Sequence, residues 1–262
     1  MNEHPITKVL VAAALLCGAA TAHAMGGDSL RLLLLGAQDM NTPQVLWRAD
    51  ATISVESSSG KHATQAVAIF APGKDARWYV QLREPAREAL VLGAERKVME
   101  RTGNKNQTVA IGAPIDDLGI AYEDLSRFIA EDFKLWQITD ESPETVLAGG
   151  YPAVDSAYVY RAYTFDKERT LILKVQFYAK SVSNLAKFRR DSGHVLLGKK
   201  WMPGTIEIEN FAENSKTTLT LRWTMNPTVS PDLLTPAGFP AAPALAWDAA
   251  APQASPATPV KP

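Results

Sequence analysis

Apolar and polar residues alternate with a period of two over most of this chain. Trp47, Ala49, Ala51, Ile53 and Val55 fall on one side of an extended segment, and Arg48, Asp50, Thr52, Ser54 and Glu56 on the other. That pattern predicts a strand with one buried face. The same alternation marks Leu171, Leu173, Val175 and Phe177, and again Leu219, Leu221 and Trp223. Shorter segments follow it from 61 to 70, from 77 to 83 (Trp78, Val80, Leu82), at 88–92, 97–102, 107–111, 133–139 and 184–190, and in a pair, 195–201 and 205–211, separated by Pro203-Gly204. Turn formers such as Ser57 to Lys61 and Ala71-Pro72-Gly73-Lys74 join them. Short connections suit antiparallel meanders better than parallel units with crossover helices. The expectation is a mainly β fold, one antiparallel sheet of about 10–11 strands, wide enough to curl strongly.

Helical spacing appears twice. Leu30, Leu33 and Leu34 predict a short helix over 29–38 with Asp28 as its cap. Tyr122, Leu125, Phe128 and Ile129 predict a second, with Asp116 or Asp117 and then Glu123-Asp124 suiting its start.

The two ends read differently. Lys8 precedes an apolar run from Val9 to Ala22, which closes on Ala22-His23-Ala24, a site for signal peptidase. The run is shorter than the roughly 18 to 20 residues that cross a hydrocarbon core. Residues 1–24 are therefore expected to be a signal peptide cleaved after Ala24, delivering a soluble protein to the periplasm. Residues 25–239 form one β domain in this reading. Residues 240–262, rich in Ala and Pro, are expected to form a disordered tail.

Cys17 is the sole cysteine and falls in the signal peptide, so the mature chain draws on neither disulfides nor thiolate-bound metals. Lys and Arg total 27 against 28 for Asp and Glu, a balance that gives no field to attract nucleic acid or to hold the protein on an anionic membrane for more than transient contact. His62 and His194 sit apart in polar turns, and no Gly-x-Ser-x-Gly or phosphate-binding glycine loop occurs. The acidic pairs Asp116-Asp117, Glu123-Asp124 and Glu131-Asp132 read as helix caps and solvated surface, and Arg96-Lys97 and Arg189-Arg190 as rim charge. No catalytic residue, metal or cofactor is expected.

The excess of large apolar side chains on alternating positions is the unusual feature. Trp47, Ile53, Val55, Trp78, Val80, Phe128, Val175, Phe177, Ile206, Ile208, Leu219, Leu221 and Trp223 are candidates to line an apolar cavity on the concave face. Periodicity alone does not separate a pocket from a filled core.

From about Arg77 to Phe239 a series of segments occurs in a characteristic order. These are Glu84-Pro85-Ala86-Arg87, Arg96-Lys97-Val98, Tyr122-Glu123-Asp124-Leu125, Leu173-Lys174-Val175-Gln176-Phe177-Tyr178, and Lys200-Trp201-Met202-Pro203 followed by Ile206-Glu207 and Asn210. In this order the chain resembles the outer-membrane lipoprotein-sorting proteins, the LolA/LolB-like periplasmic carriers. The resemblance implies a half-barrel whose concave apolar face is covered by short helices, and a soluble carrier that takes lipid or lipoprotein acyl chains across the periplasm. Two other readings stand beside it. One is a non-catalytic accessory protein of an inner-membrane lipid exporter, with that transporter as partner and a filled core. The other is a hydrolase using the paired carboxylates.

Overall fold

The computed structural model describes residues 25–247. The expected signal peptide with Ala22 and Ala24, and residues 248–262, lie outside the described part.

A helix, α1 (Gly27–Met40), precedes six strands: β1 (Trp47–Ser57), β2 (Gly60–Phe70), β3 (Arg77–Leu82), β4 (Arg87–Leu92), β5 (Lys97–Thr102) and β6 (Lys105–Ala110). Each pairs antiparallel with the one before it. A second run follows with β7 (Phe133–Glu141), β8 (Thr145–Pro152), β9 (Tyr160–Asp166), β10 (Leu171–Tyr178) and β11 (Leu185–Ser192). The chain then leaves the sheet for a small hairpin, β12 (Val195–Leu197) and β13 (Lys200–Met202), and returns as β14 (Thr205–Asn210) and β15 (Ser215–Met225). Pairing of β15 with β1 fuses the two meanders into one 13-stranded antiparallel sheet, whose edges are β6 and β7.

Those edges are consecutive in sequence and unpaired with each other, so the sheet is an open half-barrel. The linker of residues 111–132 must travel from one edge back to the other, across the concave face. It carries the one-turn helix α2 (Tyr122–Leu125) and a 3-10 turn (Ala130–Asp132).

Several expectations are corrected here. The sheet has 13 strands with a further two in the hairpin, against about 10–11 expected. Strands β8 and β9 were obscured because β9 is apolar or buried on both faces and β8 contains Gly149-Gly150, so neither shows clean alternation. The helix expected through Ile129 stops at Leu125: Ser126 is extended, at φ −64° and ψ 148°, and its hydroxyl donates to Tyr122 O at 3.0 Å. The expected 195–201/205–211 pair does not form: the chain doubles back at Gly198 instead, and β14 lies between β11 and β15. Asp28 lies inside the first turn of α1, whose N-cap is Gly26.

Two apolar clusters lie on the concave face. In one, the linker residues Ile115, Leu118, Ile120 and Tyr122 pack on strand residues such as Ile53, Trp78, Val91 and Ile208. In the other, Leu30, Leu33 and Leu34 of α1 join Phe128 over Val146, Phe165, Val175 and Phe177. A third cluster lies on the opposite face of β2, β3 and β4, where Ile69, Tyr79 and Leu90 are covered by Leu233, Phe239 and Ala242, with Leu245 and Trp247 packed against them.

The chain beyond Phe239, expected to be disordered, is therefore docked as far as it is described. Leu245 exchanges two hydrogen bonds with the Gln81 side chain, at 3.0 and 3.2 Å. The Arg101 guanidinium donates to the carbonyls of Phe239 and Ala242, at 3.0 and 2.6 Å.

Candidate functional site

An apolar cavity of about 100 Å³ lies between the concave sheet face and the linker. Its floor is two cross-strand pairs of alanines, Ala49 opposite Ala68 and Ala51 opposite Ala66. Flanking positions carry large side chains, so the methyl groups leave a trough the neighbours do not fill. At one end stand Trp47, Phe70, Trp78 and Trp223; the Phe70 ring stacks on Trp78 at 5.7 Å and contacts Trp223 at 5.6 Å. Ile115, Leu118, Ile120 and Leu125 of the linker roof the trough. The roof is tethered by polar bonds: Asn210 Nδ2 donates to Gly119 O at 2.9 Å, Thr217 Oγ1 to Leu118 O, and Arg127 Nη2 to Gly73 O at 3.0 Å.

Of the cavity candidates, Trp47, Ile53, Trp78, Val80, Ile206, Leu219, Leu221 and Trp223 line this space. Val55 and Ile208 belong to the same cluster but are closed off within it, at 1% and 0% exposure. Phe128, Val175 and Phe177 line an adjoining crevice of about 30 Å³, which shares Asn41, Ser126 and Arg189 with the trough and also has Glu123, Asp124, Arg161 and Asp191 in its walls. They are not part of the apolar trough: Val175 pairs with Arg189 on β11, and the side chains of that strand bring charge to the concave face. The alanines were missed because a small side chain reads as weak apolar signal. Their recurrence on the inward face of two successive strands was the available clue.

The second crevice is built on Tyr122-Glu123-Asp124. Both carboxylates are buried, at 1% exposure each, which corrects their reading as solvated surface. Glu123 Oε1 accepts from Arg96 and Arg161, and its Oε2 accepts the Ala157 N–H at 2.9 Å. Asp124 Oδ2 accepts the Ala121 N–H and the Lys187 ammonium, each at 2.7 Å, while Oδ1 accepts from the Tyr158 hydroxyl. Burial, reinforced by that carboxylate, pushes the Tyr158 phenol far above its ordinary range. Arg189 grips Asp191 with two bonds of 2.7 Å and donates to Asp124 O at 2.9 Å. Arg96 and Arg189, expected at the rim, are thus drawn inward. Three carboxylates, Glu123, Asp124 and Asp191, converge on this crevice, and each is engaged by cations or donors.

His194 is half-buried, and its burial lowers the imidazole pKa. Among the described residues no three His, Cys, Asp or Glu side chains are grouped to hold a metal ion, and no helix is long and apolar enough to cross a membrane.

A half-open antiparallel sheet, roofed across its concave face by a linker that joins its two edges, has close structural counterparts. A domain described as an outer membrane lipoprotein-sorting protein, from Vibrio parahaemolyticus, superposes with a TM-score of 0.70 over 81% of this chain and 99% of its own, at 14% identity. A LolA superfamily protein from Nitrosomonas europaea gives 0.64 over 79% and 97%, also at 14% identity. The chain shares the fold of these two proteins. A DUF1329 family protein from Desulfovibrio piger shares it at a TM-score of 0.66, 14% identity, and 78% and 95% coverage. No protein-family model matches the sequence, and no curated protein does. In this LolA-like fold the trough occupies the concave face beneath the linker.

Proposed function

We propose that this chain is a soluble periplasmic carrier that shields an acyl chain of a lipid or lipoprotein in the apolar trough and performs no covalent chemistry. The observation that carries the reading is the alanine floor, which keeps space open between a large apolar sheet and its roof. Each buried methylene contributes about 0.8 kcal/mol, so a modest length of chain supplies useful affinity. A longer chain requires the linker to lift, and the polar tethers at Gly119, Leu118 and Gly73 are the bonds that would open. Native mass spectrometry of protein purified from its own periplasm tests the reading. A co-purifying lipid supports it, whereas a ligand-free protein that binds no apolar probe refutes it.

Export by cleavage after Ala24 is part of the proposal. Met25, the residue that cleavage would expose, has its backbone nitrogen 2.9 Å from Glu141 Oε2, so the new ammonium would meet a carboxylate already shared with Lys167. N-terminal sequencing should begin at Met25.

The accessory-protein reading draws on a different observation. Val195 and Leu196 of the small hairpin are 41% and 57% exposed, and an apolar tip of this kind suits a membrane-protein partner. A stable complex with a lipid transporter, formed by protein that binds no apolar probe, would favour it.

A further inference from the structure

Two residues that line the trough carry three buried donors with no partner. Arg127 spends Nη2 on the Gly73 carbonyl, but its Nε and Nη1 are out of solvent and have no partner. The indole Nε1 of Trp78 is buried and unpartnered as well. Both residues line the apolar cavity, and both lie by the turn between β2 and β3: Gly73 belongs to that turn and Trp78 is the second residue of β3.

The contrast with the other sequestered cations is sharp. Arg96 and Arg161 meet Glu123, Arg189 meets Asp191, Arg87 meets Asp116, and Arg101 meets Glu88. Arg127 has no such partner among the described residues. Asp75 influences it only at a distance, being largely exposed and paired with Arg77 at 3.2 Å. Burial lowers the Arg127 pKa to about 10, so the group remains a cation at neutral pH. A largely desolvated cation without an anion is costly, and this half-buried one lines the apolar trough.

We propose that the trough takes a single-chain amphiphile with an acidic head group, a carboxylate or a phosphate, which pairs with Arg127 while its alkyl chain lies along the alanine floor. This rests on the carrier reading and narrows it. The guanidinium suits either acid through a charge-assisted bond from Nε or from Nη1, which point to different sides of the group, and Trp78, whose indole N–H is also unpartnered, belongs to the same lining. A neutral ester or alcohol would leave the cation unpaired.

The test is displacement of N-phenyl-1-naphthylamine from the full chain at pH 8 by dodecanoate, dodecyl phosphate, methyl dodecanoate and dodecanol, in wild type and in Arg127→Gln. The glutamine keeps a donor for Gly73 O and removes the charge. In wild type both acids, or one of them, should compete about ten- to a hundredfold better than the neutral pair. The stronger acid identifies the head group. In Arg127→Gln the preference should fall to within a fewfold, with neutral competitors unaffected. Equal competition by acids and neutral compounds in wild type overturns this inference while leaving the carrier reading intact, and needs no variant. A preference for acids that survives in a folded Arg127→Gln protein assigns the charge recognition elsewhere and overturns it too. Failure of the naphthylamine probe and all four competitors to bind refutes the carrier reading itself, and this inference with it.

Discussion

The Lys187 ammonium on β11 lies 2.7 Å from Asp124 Oδ2 in the linker, so a buried ion pair ties the roof of the cavity to the middle of the sheet. Asp124 also accepts from Ala121 N–H and from Tyr158. Replacing it by Asn leaves Lys187 buried without its anion, and breaking buried pairs in this way costs roughly 3–5 kcal/mol. Urea denaturation of Asp124→Asn should show a loss of that order. A loss below about 1 kcal/mol would mean that solvent reaches the pair and that the network is not what holds the linker down.

The alanine floor gives a test of open space. In a close-packed core, enlarging Ala51 to Leu would cost about 1–3 kcal/mol through overpacking. Over the trough the added atoms enter vacant volume, so Ala51→Leu should leave stability within about 1 kcal/mol of wild type. The same change should weaken binding of an apolar fluorescent probe about tenfold. Val175→Phe, directed at the charged crevice, is the contrasting control, and should destabilise without that selective effect on the probe. The reverse pattern in the two variants would move the binding space to the other half of the sheet.

Burial holds the His194 imidazole below its ordinary pKa of about 6.5. Between the lowered folded value and the unfolded value, the unfolded chain binds more protons, so folding stability rises with pH across that window. The contribution is complete above about pH 6.5 and is lost as pH falls through the folded pKa. Wild type should therefore lose more stability than His194→Gln on going from pH 7.5 to pH 5.5, measured by thermal melts. Parallel losses would show that the imidazole is hydrated in solution.

The C-terminal segment contributes to stability on the convex face. Ending the chain after Phe239 removes the Leu245–Gln81 bonds, the Arg101 bond to Ala242 O and the cover provided by Ala242. Relative to a chain ending after Trp247, this should cost about 2 kcal/mol, or roughly 4–8 °C in Tm. Identical melting curves would place residues 240–247 in solvent.

What the sequence determined by itself was the strand material and the inward-facing apolar set. Side-chain direction in a strand alternates by covalent geometry, so Trp47, Ile53, Trp78 and Leu219 could be assigned to one face without knowing what they face. The order of the segments around Arg96-Lys97, Tyr122-Glu123-Asp124-Leu125 and Leu173-Lys174 carried the likeness to lipoprotein-sorting proteins, and the fold agrees with it. Closure of β15 on β1, and the passage of residues 111–132 from edge to edge, were decided by pairing between strands far apart in sequence, which local periodicity does not encode. The same long-range pairing decided which apolar residues line empty space. Val55 and Trp47 occupy equivalent positions in the β1 pattern, yet one is sealed in the core and the other borders the trough, because Ala49, Ala51, Ala66 and Ala68 meet only across β1 and β2. The charges of Glu123, Asp124 and Arg189 looked solvated for a similar reason. Glu123 and Asp124 are stable in the interior because Arg161 and Lys187 reach them from β9 and β11, and that arrival is a property of the tertiary structure.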